Sequence, residues 1–292
     1  MVPSFNQAKF IRRTLNSLVA EASAADLEVI VQDAGSSDGT HEILDDFRQY
    51  PFIHIYIETD TGQSNALNKG FCRASGDIFG WLNSDDVIAR GSIQAVEAVF
   101  QENPGADLVY GDALFIDEDD KVLDAYPTGE LTLDVLRHRC VISQPSTFFS
   151  SESYENFGPL RDDLHYCMDY EYWTRLLVNG ANVIRLRKTI SCTRIHGETK
   201  TSNGGIAFIE EIIGMQRALL GEASPVWQVY QKTRTPPLSD LSNKSLRFVI
   251  AATKQVWEGP SFICTAWQSV LERRFSEYHC RKILETQDQQ LE

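Results

Sequence analysis

The chain has 292 residues with 41 acidic and 27 basic side chains, and its formal charge of −14 argues against a general nucleic-acid binder and against attraction to anionic lipid. A hydrophobic fraction of 42% with 10% aromatic residues is ordinary for a folded globular protein and argues against wholesale disorder. Any phosphate group bound by so acidic a chain needs local cations or a metal.

The six cysteines, Cys72, Cys140, Cys167, Cys192, Cys264 and Cys280, are scattered, with no CxxC and no cysteine–histidine cluster at zinc spacing. They read as mostly buried thiols in a reducing compartment. No signal-peptide series occurs, and no run approaches the roughly 18 apolar residues of a membrane span, so the expected location is the cytoplasm. The sequon at Asn243-Lys244-Ser245 is then without meaning.

In chain order, Val2-Pro3-Ser4-Phe5-Asn6 reads as a strand entering a loop, followed by a helix with Phe10, Ile11, Leu15, Leu18 and Val19 at helical spacing. Only two residues precede Pro3, fewer than the roughly five or six of a usual central strand, so the first strand is expected to be either unusually short or missing its beginning. Residues 27–33 form a clearer strand ending at Asp33, and residues 34–40 turn into a helix through Leu44 and Phe47. Asp38 stands where a helix N-cap belongs and reads as structural. The glycines here fit neither a dinucleotide fingerprint nor a P-loop.

Residues 52–58 alternate as a third strand running to Asp60, and a helix from Ser64 to about Ala74 carries Asn65, Asn68 and Lys69. Residues 77–82 make a short strand that ends at Asn83-Ser84-Asp85-Asp86, before a helix over about 91–101. Read alone, those four residues serve equally as a helix cap or as carboxylates for a hard cation. Alternating strands and helices indicate βαβ winding, which carries Asp33, Asp60 and Asp85-Asp86 to one edge of a parallel sheet. Three acidic strand ends at one rim favour a ligand site.

Beyond residue 101, two strands flank Asp117-Glu118-Asp119-Asp120, which reads as a solvated hairpin tip. Residues 131–138 look helical and 142–149 look like a loop feeding a strand. Asp169 opens a helix, where an acid usually serves the macrodipole, yet its aromatic neighbours offer a sugar-stacking wall and its carboxylate the usual form of a general base. Strands at 183–186 and 189–195 lead to His196. From Ile206 the pattern is helical, with breaks at Pro236-Pro237 and Gly259-Pro260 and a basic amphipathic end through Arg273, Arg274, Arg281 and Lys282.

Five stretches resemble, in order and spacing, the inverting family 2 glycosyltransferases of GT-A fold. They are Pro3-Ser4-Phe5-Asn6-Gln7, residues 31–40, Asp60-Thr61-Gly62-Gln63-Ser64, residues 80–86 and Met168-Asp169-Tyr170-Glu171-Tyr172-Trp173. The resemblance covers roughly residues 1–205 and implies an α/β, Rossmann-like GT-A domain there, with a mostly parallel central sheet flanked by helices. Residues 206–292 would be a helical appendage that packs on the core, on a second subunit or on the inner membrane face.

The resemblance also implies roles. Pro3, Ser4, Asn6 and Asp33 would hold the nucleotide, with Asp33 facing the base; Asp60 and Lys69 would line the same pocket, and Asn83 and Ser84 would meet the nucleotide-sugar. Asp85, Asp86 and His196 would hold Mn²⁺ or Mg²⁺, and Lys200 would help neutralise the diphosphate. Gln144 and Thr147, with Tyr170 and Trp173, would border the acceptor, and Asp169 would be the base. The implied partners are a nucleotide-sugar donor, UDP-linked by preference, and a saccharide, lipid-linked or protein acceptor in polysaccharide or glycoconjugate synthesis. Asn83 stands where the family often has an acid, Thr61 where arginine is common, and the first strand is short. These departures keep a catalytically inactive sugar-nucleotide-binding protein as the alternative. A sugar nucleotidyltransferase is disfavoured because its glycine-rich N-terminal loop is absent.

Overall fold

Three short parallel strands set the edge on which the candidate site is built. In the computed structural model, which describes residues 1–200 and 205–234, strands β1 (Val2–Ser4) and β2 (Val29–Asp33) are buried along their whole length. Such burial on both faces is what a central parallel strand requires. β3 (Ile53–Ile57) flanks β2 on its other side. The register sets Ser4 beside Asp33 and Asp33 beside Ile57, so the three carboxyl ends finish level.

Helices α1 (Ile11–Glu21), α2 (Thr40–Phe47) and α3 (Gln63–Phe71) return the chain between strands. Ile11, Leu15, Leu18, Leu44 and Phe47 join Val2, Val29 and Val31 in one core. Each such side chain contributes roughly 1.5–3 kcal/mol on full burial.

β4 (Ile78–Gly80) continues from β1, because the Met1 ammonium donates to Gly80 O at 2.8 Å and Leu82 N donates to Met1 O at 3.0 Å. The chain then runs through β5 (Val87–Ile88), α4 (Ser92–Glu102), β6 (Leu108–Ile116), β7 (Val122–Ala125), α5 (Leu133–His138), a 3₁₀ turn at Gln144–Ser146, β8 (Thr147–Ser150), α6 (Ser151–Phe157), α7 (Met168–Val178) and β9 (Val183–Arg194). The second sheet has the order β4-β8-β6-β9-β5, with β7 added to β6. Its β6–β9 pair is parallel, and its remaining pairs are antiparallel.

The stretches at 183–186 and 189–195 form a single strand. Its register against β6 shifts around Gly111 and Asp112, where an added Cβ on Gly111 would stand 2.7 Å from Ile190 and 2.9 Å from Lys188 O. α6 was not foreseen in the sequence; Ser150 caps it by accepting from Ser153 N at 3.0 Å. The first turn of α4 is held from a distance. The buried Glu21 carboxylate accepts from Gly91, Ser92 and Ile93 N at 2.7, 2.8 and 3.0 Å.

The compact units divide at His196/Gly197, whereas the sequence suggested 205/206. The first comprises Met1–Leu133 and Cys140–His196, and the second comprises, among the described residues, Asp134–Arg139 and those from Gly197 onward. In the second, α8 (Gly205–Leu220) and α9 (Pro225–Arg234) gather Ile209, Ile213 and Ala223 against Trp227 and Tyr230. Gln216 joins its parts by donating to Arg137 O at 2.7 Å and accepting from Ser224 N at 2.9 Å. The breaks at Pro236-Pro237 and Gly259-Pro260 and the basic amphipathic end lie outside the described residues. Among the described residues no helix is long and apolar enough to cross a membrane.

Candidate active site

Two loops leave the edge at β1 and β2 and are tied together. Asn6, in the left-handed region at φ 53°, donates its N–H to Ser36 Oγ at 2.7 Å and accepts Ser37 N on its side-chain oxygen at 2.9 Å. Gln7 N donates to Thr40 Oγ1 and Ala8 N to Asp38 Oδ2, both at 2.9 Å, while Asp38 Oδ1 takes Thr40 N at 3.1 Å, a structural role although Gly39, not Asp38, is the N-cap of α2.

At the centre of this tie is Asp33, with no exposed surface. Its Oδ1 accepts from Gly35 N, Ser36 N and His41 Nε2 at 3.0, 2.8 and 2.9 Å, and its Oδ2 from the Ser4 and Ser36 hydroxyls at 2.7 Å. Burial pulls its pKa upward, but the hydrogen bonds from Ser36, Ser4 and His41 prevail and hold the carboxyl below the usual range. A carboxylate with five donors and no open surface does not face a nucleotide base. In place of that expectation, Asp33 and Ser4 shape the loop. Phe5 stands between Pro3-Ser4 and Asn6 with 59% of its surface exposed, a flat apolar face within the stretch expected to hold the nucleotide.

Asp60 accepts Gly62 N at 2.9 Å ahead of α3, and Lys69 is turned to Thr59 O at 2.7 Å and Glu58 at 3.7 Å. Both are thereby committed to the β3–α3 turn.

The four-residue motif after β4 splits its duties. Asn83 Oδ1 accepts from Gln63 Nε2 at 2.7 Å and Trp81 Nε1 at 2.8 Å, and Ser84 is buried, its carbonyl accepting from Thr14 Oγ1 at 2.9 Å. Asp86 points inward: it is 2% exposed and its Oδ1 accepts Arg194 N at 2.8 Å. Burial, with the Asp85 charge beside it, pushes the Asp86 carboxyl well above the usual range. Asp85 turns the other way. Its Oδ2 lies 2.9 Å from His196 Nε2, and the His196 ring packs on Phe10 at 4.7 Å between centroids. The structure thus brings Asp85 and His196 together and sets Asp86 apart from them. Lys200 belongs to the second compact unit.

Among the described residues no three His, Cys, Asp or Glu side chains converge as a metal cage. The Asp85–His196 pair still fits a divalent cation. Neighbouring ligands on an octahedral ion with bonds of about 2.1 Å stand about 3 Å apart, and such ions keep their other positions for water and substrate phosphates.

The residues expected on the acceptor side are mostly interior. Gln144 is buried and donates to Trp81 O at 2.6 Å, which ties it to the motif. Thr147, Tyr170 and Trp173 are 1%, 3% and 0% exposed, so they pack the core and present no stacking wall. Helical spacing explains the correction, since it turns Tyr170 and Trp173 inward while Asp169 stays half-buried, its Oδ1 accepting Tyr170 N at 2.7 Å. The loop leading to Asp169 is fastened from both sides, a feature missed in the sequence. Buried Glu171 accepts from Arg175 Nε and Nη2 at 3.0 Å, and Arg175 donates to the carbonyls of Phe157, Gly158 and Pro159. From α3, Asn68 donates to Leu160 O and Asp162 Oδ1 at 2.8 Å.

Residues 1–139 match the family model described as Glycosyl transferase family 2. Over 130 residues the chain is 27% identical to an uncharacterized glycosyltransferase of Nostoc sp., a match that covers 44% of this chain and 40% of that protein's length. It is also 27% identical over 188 residues to the PGL/p-HBAD biosynthesis glycosyltransferase of Mycobacterium tuberculosis, covering 63% of this chain and 71% of the relative. Two solved structures share the fold at 17% identity. S. aureus TarS 1–349 in complex with UDP-GlcNAc has a TM-score of 0.64 over 96% of this chain and 86% of that one. The mannosyltransferase PcManGT from Pyrobaculum calidifontis, in complex with GDP-Man and Mn²⁺, has a TM-score of 0.59 over 98% and 78%. The α/β fold, with parallel β1–β3 and flanking helices, is that of GT-A glycosyltransferases, and together with the family match over residues 1–139 it supports a glycosyltransferase of GT-A fold.

Proposed function

We propose that the chain transfers a glycosyl group from a nucleotide-diphospho-sugar to an acceptor hydroxyl with inversion, in the cytoplasm, for polysaccharide or glycoconjugate synthesis. The observation that carries this reading is the Asp85–His196 pair, 2.9 Å apart, beside the loops that leave β1 and β2. Asp85 and His196 would hold Mn²⁺ or Mg²⁺, which when bound neutralises charge growing on the leaving diphosphate.

The chain's own residues do the rest. The Phe5 face and the loop locked by Asp33 receive the nucleoside, and the bonds among Gln63, Trp81 and Asn83 hold the motif against α3. Asp169 takes the acceptor's proton as the acceptor oxygen bonds to the anomeric carbon. The bond from that carbon to phosphate oxygen breaks, and the nucleoside diphosphate leaves with the electron pair. One displacement inverts the configuration and needs no covalent sugar–enzyme intermediate, unlike the paired-carboxylate route of retaining hydrolases.

TarS bound UDP-GlcNAc and PcManGT bound GDP-Man, so the test is a panel of UDP-, GDP- and dTDP-sugars with Mn²⁺ and with saccharide and lipid-linked acceptors. Nucleoside diphosphate release should depend on metal and acceptor and fall by about 100-fold or more in Asp169→Asn, as loss of a general base entails. Binding of a donor without release for any acceptor would favour a sugar-nucleotide-binding protein, the reading that the departure at Asn83 keeps alive.

A further inference from the structure

The acidic hairpin tip between β6 and β7 is exposed at Glu118, Asp119 and Asp120, as the sequence suggested, and is also tied to the fold by ion pairs. The guanidinium it pairs with is among the largest wholly buried side chains of the described residues. Arg194, at the end of β9, has a side chain with no exposed surface. Its Nε donates to Asp85 O at 2.7 Å and its Nη1 to Asp117 O at 2.7 Å. Its Nη2 stands 2.5 Å from Asp120 Oδ1, where poor N–H alignment makes the contact an ion pair rather than a hydrogen bond. The guanidinium also lies 5.1 Å from the Phe10 ring centroid, and Phe10 packs on His196.

On its outer side the tip is tied to α1 and the residues before it, with Lys9 Nζ 2.6 Å from Glu118 and Arg13 bonded to Glu118 O. Exposed pairs of this kind are individually weak. The buried fork is different, because a desolvated cation persists only where its partners are fixed in place. A planar guanidinium reaches the metal-motif backbone and the tip together, which a lysine ammonium does not.

We propose that Arg194 is a positioning residue that couples the hairpin tip to the Asp85–His196 pair, so that the tip sets the affinity of that pair for a divalent cation and the diphosphate it carries. The proposal rests on reading Asp85 and His196 as the cation site. Asp120 is the accessible end of the coupling, with 47% of its side chain exposed, and its loss strips the buried guanidinium of its carboxylate partner without opening the core.

The test is calorimetric titration of the full chain with Mn²⁺ in the presence of UDP, with thermal unfolding measured alongside. Asp120→Ala should lower the unfolding midpoint and, at a temperature where the variant is still folded, weaken Mn²⁺ binding about 10- to 100-fold, the range for partners that orient a metal ligand. Asp120→Glu should recover part of the loss. Asp119→Ala, one residue away on the exposed tip, should behave as wild type. Arg194→Lys should weaken binding, and adding Asp120→Ala to it should cost nothing further, since both remove one coupling. Wild-type binding with no change in Asp120→Ala, or an equal loss in Asp119→Ala, overturns the proposal alone. No Mn²⁺ binding by the wild-type chain with UDP overturns the cation-site reading and the proposal with it.

Discussion

Asp33 and Asp85 make an instructive pair. Both are aspartates at or beyond the carboxyl ends of short strands, and in the sequence both read as ligand groups. Asp33 is wholly buried and receives five hydrogen bonds, whereas Asp85 keeps about a fifth of its side chain in solvent and faces one imidazole. The difference lies in the course the chain takes after each residue. After Asp33 the chain folds back through Gly35, at φ 89°, and aims the backbone N–H groups of Gly35 and Ser36 at its carboxylate. After Asp85 the chain continues into β5, and Asp86 takes the inward place. Identical chemistry becomes a fastener in one place and, in the function proposed above, a ligand in the other.

This contrast can be broken by substitution, beginning with the largest expected effect. Asp33→Ala should destabilise the chain by about 3–5 kcal/mol in urea unfolding, because it leaves several buried donors without an acceptor. A loss below about 1 kcal/mol would mean that the loop is held by other bonds. The same group gives a pH dependence. Its folded pKa lies below the unfolded value of roughly 3.9, so its contribution is fully present above that value and fades as pH falls through the folded one. Asp33→Asn should therefore flatten the acid limb of a stability–pH curve.

Asp85→Ala should do the reverse. Transfer should fall about 100-fold, near 2.8 kcal/mol at roughly 1.4 kcal/mol per decade, while stability changes by about 1 kcal/mol or less. Nucleoside diphosphate release and urea unfolding on one preparation decide it.

The smallest effect belongs to another buried acid, remote from the edge. Glu21→Gln should cost about 1–2 kcal/mol, since the amide is a weaker acceptor for the three N–H groups opening α4 and removes a negative charge from a helix N-terminus. Mn²⁺ and UDP affinities that stay unchanged would sharpen the contrast between acids that hold the fold and the one available for chemistry.

Much of the first half was legible. Residues 29–33 carry a run of β-branched residues that only a buried strand accommodates, and the spacing of Ile11, Leu15 and Leu18 admits one helical face. The order of acidic strand ends pointed to the edge on which the proposed site is built. Less legible were contacts across long separations. Arg194 lies 109 residues from Asp85 in sequence, and nothing local to the Arg194-Ile195-His196 stretch marks it as wholly buried. The ion pairs of the exposed hairpin tip escaped for the same reason, because their cations come from Lys9, α1 and β9. Tyr170 and Trp173 failed differently. Their aromatic character suggested a sugar wall, but aromatic side chains serve cores equally well, and the choice belongs to the helix face.

By itself the sequence determined the alternation of strands and helices, since that comes from local periodicity and residue type. The division of labour among the acids was decided only in the tertiary structure. Whether a carboxylate is free to meet a ligand depends on which donors the rest of the chain brings to it. For Asp33 those donors come from 2 to 29 residues away, and for Asp85 the partner is His196, 111 residues distant.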